Sequence, residues 1–171
     1  VITDRGSADE PLFLYVAFNA VHGPLNPPPG FDGDADDPLA IRDAMLANLD
    51  LNLGKILDAI DGAGIRDSTL VVFTNDNGPV LEEMSAPFRG TKNTTYEGGV
   101  RQPALLRWPG HLEPGSSRAG MMFITDWLPT FASLAGGEAD GPLPLDAHDM
   151  TGLLLEGGDS PREEIVFDVA G

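Results

Sequence analysis

The chain has 171 residues, enough for one domain that buries roughly 70% of its unfolded surface, and with 42% apolar and 22% charged residues its composition is globular, neither a disordered tail nor a membrane protein. Ten Lys and Arg against 27 Asp and Glu leave a net charge of -17, which repels polyanions and argues against nucleic acid as a partner, and no window reaches the roughly 20 apolar residues of a spanning helix. Cysteine is absent, so disulfides, thiolate metal sites and a cysteine nucleophile drop out.

In chain order, Leu12 to Phe18 is a continuous apolar run with aromatic and β-branched members, which predicts a central strand buried on both faces. A loop rich in Pro, Gly and Asp follows to Asp37, where an acid precedes Pro38 as an N-cap precedes a first-turn proline. Ile41, Met45, Leu49, Leu53, Ile56, Leu57 and Ile60 then form one apolar stripe of a long helix, with Gly62 and Gly64 as its stop. Thr69 to Thr74 predicts a second buried strand. Strand, helix and strand make a βαβ unit with parallel strands, so the expected fold class is α/β, a partial doubly wound, mostly parallel sheet with flanking helices. Ala104 to Trp108 reads as a further short strand and Thr125 to Gly136 as a short helix. Residues 137–160 read as mostly loop, with Leu153-Leu154-Leu155 covering core. The opening at Val1 without methionine and the β-like run Ile165 to Val169 suggest a fragment truncated at both ends.

Ligands of open α/β sheets bind beyond the carboxyl ends of the strands, which directs attention to Asn19-Ala20-Val21-His22-Gly23-Pro24 and Asn75-Asp76-Asn77-Gly78-Pro79. Asp76 and Asn77 offer a carboxylate and an amide oxygen, hard donors suited to calcium or magnesium; the same four residues Asn75 to Gly78 also have the composition of a plain turn. The His22 imidazole is placed to bind an oxyanion or give a proton to a leaving oxygen, unless it is structural. His111 and His148 read as solvated, without partners. Residues 89–101 collect Arg89, Lys92 and Arg101, three of the ten basic residues, in a glycine-bearing loop suited to a tetrahedral oxyanion but without Walker A spacing.

These blocks in order, Asn19 to Pro24, Phe73 to Gly78, Lys92 to Arg101 and Asp126-Trp127-Leu128-Pro129-Thr130, resemble the type I, arylsulfatase-like sulfatases of the alkaline phosphatase superfamily, and the likeness runs through nearly the whole chain. The resemblance implies an alkaline phosphatase-like fold and a sulfuric ester hydrolase whose Asp76 and Asn77 are two ligands of one calcium ion. It further implies that His22 contacts the sulfate and protonates the leaving oxygen, and that Lys92 binds a sulfate oxygen. Asn77, where phosphatase and phosphonate hydrolase relatives resemble Asp-His, favours the sulfatase branch; Asn93 departs from the glycine usual after that lysine. The formylglycine nucleophile, made from Cys or Ser in a Cys/Ser-x-Pro-x-Arg motif, and the paired aspartates that complete the calcium site are expected ahead of Val1. The chain is thus expected to lack that motif, to be inactive alone, and to form one partial catalytic domain over 1–171, with 163–171 opening the C-terminal small sheet and Asp168-Val169 in its first strand. The partner implied is a sulfate ester, small or glycan; a periplasmic or extracellular address follows from the family only. A phosphoester hydrolase of the same superfamily and a non-catalytic calcium-binding module are the other readings.

Overall fold

The computed structural model describes residues 1–5 and 11–167. The chain forms two compact units, Val1–Thr69 and Leu70–Gly171, described in turn.

In the first unit a short helix α1 (Ile2–Arg5) packs on the long helix α2 (Pro38–Gly62). The start of α2 is as expected: Pro38 stands at the first helical position, where its missing N–H costs nothing, and the Asp37 carboxylate accepts the Leu39 N–H at 2.9 Å. The stripe also holds. Ile41, Met45 and Ile60 are buried and Leu49, Leu53, Ile56 and Leu57 half-buried, whereas Leu46 and Leu51, off the stripe, face solvent. Gly64, at φ +72°, turns the chain away while Ala63 and Gly64 donate to the carbonyls of Ala59 and Asp61; Gly62 is still helical.

The expected strand over Leu12 to Phe18 does not form. The segment has no strand pairing, and Phe13 and Tyr15 are 75% and 81% exposed. Apolarity makes a run fit for an inner strand, but a strand exists only where neighbours supply ladder donors and acceptors, and none of the described residues does so. The parallel βαβ arrangement is therefore corrected: among the described residues the sheet has two strands, and they are antiparallel.

That sheet belongs to the second unit. β1 (Val71–Thr74) pairs with β2 (Ala104–Arg107) in the register Val71↔Arg107 to Thr74↔Ala104, and the Thr74 hydroxyl fastens one end by donating to the Pro103 carbonyl at 2.9 Å. Val71, Val72 and Phe73 are half-buried rather than buried on both faces. A 3-10 turn (Ile124–Asp126) leads into α3 (Trp127–Leu134), which closes on Gly136 at φ +78° as the terminal glycine of the sequence implied. The stretch expected to be loop contains a π-helical turn, Gly152–Glu156, that delivers Leu153 and Leu154 to a core with Met150, against which Leu106, Met122 and Trp127 pack. Three consecutive leucines covering core were legible; their helical geometry was not, because five residues are too few for a periodicity. Residues 165–167 carry no strand, and Asp168-Val169 lie outside the described residues.

Candidate active site

The carboxyl end of β1 runs into the turn that carries Asp76 and Asn77. Asp76 is exposed, and its Oδ1 accepts the Asn77 N–H at 2.9 Å; Asn77 is half-buried. Immediately after them the backbone locks onto the basic loop. The Gly78 N–H donates to the Gly99 carbonyl at 2.9 Å, and the Lys92 N–H donates to the Pro79 carbonyl at 2.8 Å. Gly78 has to be glycine, since a Cβ there would lie 1.9 Å from the Gly98 carbonyl oxygen. Two segments singled out separately in the sequence are thus one backbone-bonded body.

Within the basic loop, the Thr94 hydroxyl donates to the Thr91 carbonyl at 2.7 Å and the Gly98 N–H to the Arg89 carbonyl at 2.8 Å, ahead of a single helical turn, Glu97–Val100. Asn93 sits at φ +71°, the only positive-φ residue other than glycine among the described residues. That accounts for the departure noted in the sequence: the place demands a left-handed backbone, which asparagine tolerates better than most side chains. Arg101 pairs with Glu97 at 3.0 Å and lies over Phe88, and the Arg89 guanidinium lies over the Tyr96 ring at 3.9 Å. The clustering of basic residues is therefore in part structural.

His22 belongs to the first unit. It is exposed, its N–H donates to the Asn19 carbonyl at 2.9 Å, and its Nδ1 lies 2.7 Å from the Gly23 carbonyl oxygen. A carbonyl oxygen only accepts, so the Nδ1 that faces it carries a proton. Of the other histidines, His111 is exposed but not without a partner, since it stacks on Trp108 at 4.0 Å, and the His148 N–H donates to Asp126.

Asp76 and Asn77 suit calcium in kind but not in number. Calcium takes about six to eight oxygens, and among the described residues no group of three or more His, Asp or Glu is placed to hold a metal ion. The expected lack of a nucleophile motif also requires correction. Ser85-Ala86-Pro87-Phe88-Arg89 has the spelling Ser-x-Pro-x-Arg, and Asp36-Asp37 is an acidic pair ahead of it. Neither is set up for that chemistry: Ser85 is buried with its hydroxyl engaged on the Glu82 and Phe88 carbonyls, and the Asp37 carboxylate caps α2.

The strongest electrostatic feature lies elsewhere in the second unit. Asp126, fully buried, forms a two-pronged pair with Arg162, Nη2 to Oδ1 at 2.7 Å and Nε to Oδ2 at 2.8 Å, and accepts the N–H groups of Phe123 and His148. Burial pushes its carboxyl up, but the Arg162 guanidinium and these two donors outweigh burial and hold it below the ordinary 3.8. Asp126 stands at the N-cap position of α3 but makes no side-chain cap bond to it.

The β1 turn and the glycine-bearing basic loop are thus bonded through their backbones, which puts the acid–amide pair and the lysine on one body. The sulfatase family model matches residues 1–137, and the chain belongs to that family. It is 40% identical to human arylsulfatase A over 98% of this chain and 33% of that protein, and 36% identical to mouse steryl-sulfatase over 95% of this chain and 27% of that one. The crystal structure of Ps i-CgsB in complex with k-i-k-neocarrahexaose superposes with a TM-score of 0.79 at 29% identity, covering 92% of this chain and 36% of that one. The chain spans about a third of the length of the curated relatives it matches. Its structural neighbours have the alkaline phosphatase-like fold.

Proposed function

We propose that this chain is the part of a sulfatase catalytic domain that supplies Asp76, Asn77, Lys92 and His22 to hydrolysis of a sulfate monoester. The observation that carries the reading is the bonding of the Asp76–Asn77 turn to the Lys92 loop, through Gly78 to Gly99 and Lys92 to Pro79. It joins hard-oxygen donors to a cationic side chain in one rigid piece. Asp76 and Asn77 would hold two sides of a calcium ion whose remaining ligands come from outside this chain; when bound, that ion supplies positive charge against the sulfate oxygens. Lys92 adds a point charge on one sulfate oxygen. His22 gives its Nε2 proton to the departing oxygen while the Nδ1–H, held on the Gly23 carbonyl, fixes the ring. The nucleophile this reading requires is a formylglycine carried elsewhere, because the Ser85 hydroxyl is buried and engaged.

The test compares the 171-residue chain with a longer sulfatase that contains it, using 4-nitrocatechol sulfate. The longer protein releases sulfate and the chain alone does not. Turnover by the chain alone, retained in Ser85→Ala, refutes the division of labour. Turnover lost in Ser85→Ala, with the Ser85 peptide about 2 Da lighter as formylglycine requires, moves the nucleophile to Ser85.

A further inference from the structure

We propose that Gly78 and Gly98 are positioning residues, fixing the separation between the Asp76–Asn77 oxygens and Lys92. This inference rests on the sulfatase reading and goes beyond it, because neither glycine has a side chain and the N–H of each is already donated to a main-chain carbonyl, Gly78 to Gly99 and Gly98 to Arg89. The contact between the two segments is backbone on backbone. A Cβ on Gly78 would lie 1.9 Å from the Gly98 carbonyl oxygen and 2.9 Å from its carbonyl carbon, and a Cβ on Gly98 would lie 2.1 Å from the Gly90 carbonyl oxygen and 2.8 Å from that of Arg89. Real Cβ atoms do not approach so closely, and these neighbours are main chain that cannot rotate aside.

The interlock has two threads. The Gly78 N–H to Gly99 carbonyl bond joins the residue after Asn77 to the helical turn, and the Lys92 N–H to Pro79 carbonyl bond joins the lysine back to the turn that carries Asp76 and Asn77. A methyl group on Gly78 presses on the Gly98 main chain across the two segments, and one on Gly98 presses on the Gly90 and Arg89 carbonyls within the basic loop; either shifts the stretch that carries the Gly99 carbonyl and strains both threads. Lys92 then moves relative to the acid–amide pair although no side chain of the site has changed. Asn93, at φ +71° beside Lys92, sets the last link: a glycine there keeps the left-handed backbone, and a valine opposes it. By contrast, a Cβ on Gly54 in α2 meets nothing within 4 Å, which makes Gly54→Ala the control.

Amide hydrogen exchange on this chain reads the interlock without any activity. The Gly78 and Lys92 amides are protected in the wild type, and Gly98→Ala speeds both by about tenfold or more while amides of α2 are unmoved. Unprotected amides in the wild type, or an effect on one amide without the other, overturn the proposal. In the longer sulfatase, Gly98→Ala and Asn93→Val raise the KM and the Ki for inorganic sulfate by about tenfold, and Asn93→Gly leaves both near wild type. Loss of folded enzyme lowers only the apparent kcat, so a fall in kcat with KM and Ki unchanged overturns a positioning role. If Gly98→Ala gives no soluble protein, Asn93→Val decides by the same criterion. Absence of sulfate release by the wild type defeats the sulfatase reading; wild-type turnover with unmoved Ki in the variants defeats this inference alone.

Discussion

Removing either end of the Asp126–Arg162 pair leaves the other charged in a place without water, since Asp126 is fully buried and Arg162 is 6% exposed. Asp126→Asn or Arg162→Met is therefore expected to cost about 3–5 kcal/mol in chemical denaturation, whereas an exposed pair such as Arg101–Glu97 costs about 0–1 kcal/mol when broken. A loss below about 1 kcal/mol at Asp126 shows that the pair is dispensable. The same group sets an acid limit. Its folded carboxyl titrates below the unfolded value of about 3.9, so the stability it contributes is fully present above that value and is lost as pH falls through the folded one. Asp126→Asn should flatten that acid limb of the stability–pH curve; an unchanged limb assigns it to other carboxylates. The block around Asp126 was visible in the sequence but its role was not, because the countercharge lies 36 positions away and no periodicity links them. Asn93 was the opposite case: its oddity was legible, and its φ supplied the reason.

At the level of elements, α2 was the most legible because its signals are local: a cap, a first-turn proline, a stripe and a left-handed stop lie within its residues or at most two positions beyond them. One position works against it. Gly54 lies in the helix interior with open space where a Cβ would go, so Gly54→Ala should raise stability by about 0.5–1 kcal/mol, read as a higher denaturant midpoint at unchanged m-value. A lower midpoint means that the methyl group meets something. Leu12 to Phe18 was misjudged for the complementary reason. Its residue types suit an inner strand, but pairing depends on neighbours and a one-dimensional reading cannot supply them. The candidate site falls between these extremes. The residue types at 76, 77 and 92 announced their chemistry, while the backbone bonds that tie the two segments depend on four carbonyls and amides that no side-chain pattern marks.

For the molecule as a whole, the charge balance is the dominant long-range force. A net charge of -17 on 171 residues favours expansion. Raising sodium chloride from about 0.01 M to about 0.15 M shortens the screening length from about 30 Å to about 8 Å, so the thermal midpoint should rise over that range. A midpoint that falls instead gives the local ion pairs, not the overall repulsion, the larger share. Family membership was accessible from four short blocks in order, whereas the division into two units at Thr69 was not, because the boundary falls beside an ordinary strand entry without a linker-like composition.

The family match ends at residue 137, but the countercharge of Asp126 stands at position 162, and the leucines of the second core stand at 153 and 154. A homology boundary and an electrostatic boundary therefore disagree by about one supersecondary element. Trimming this polypeptide to its recognisable portion would strand a carboxylate in hydrocarbon, so any shortened version meant to stay folded must reach past Arg162.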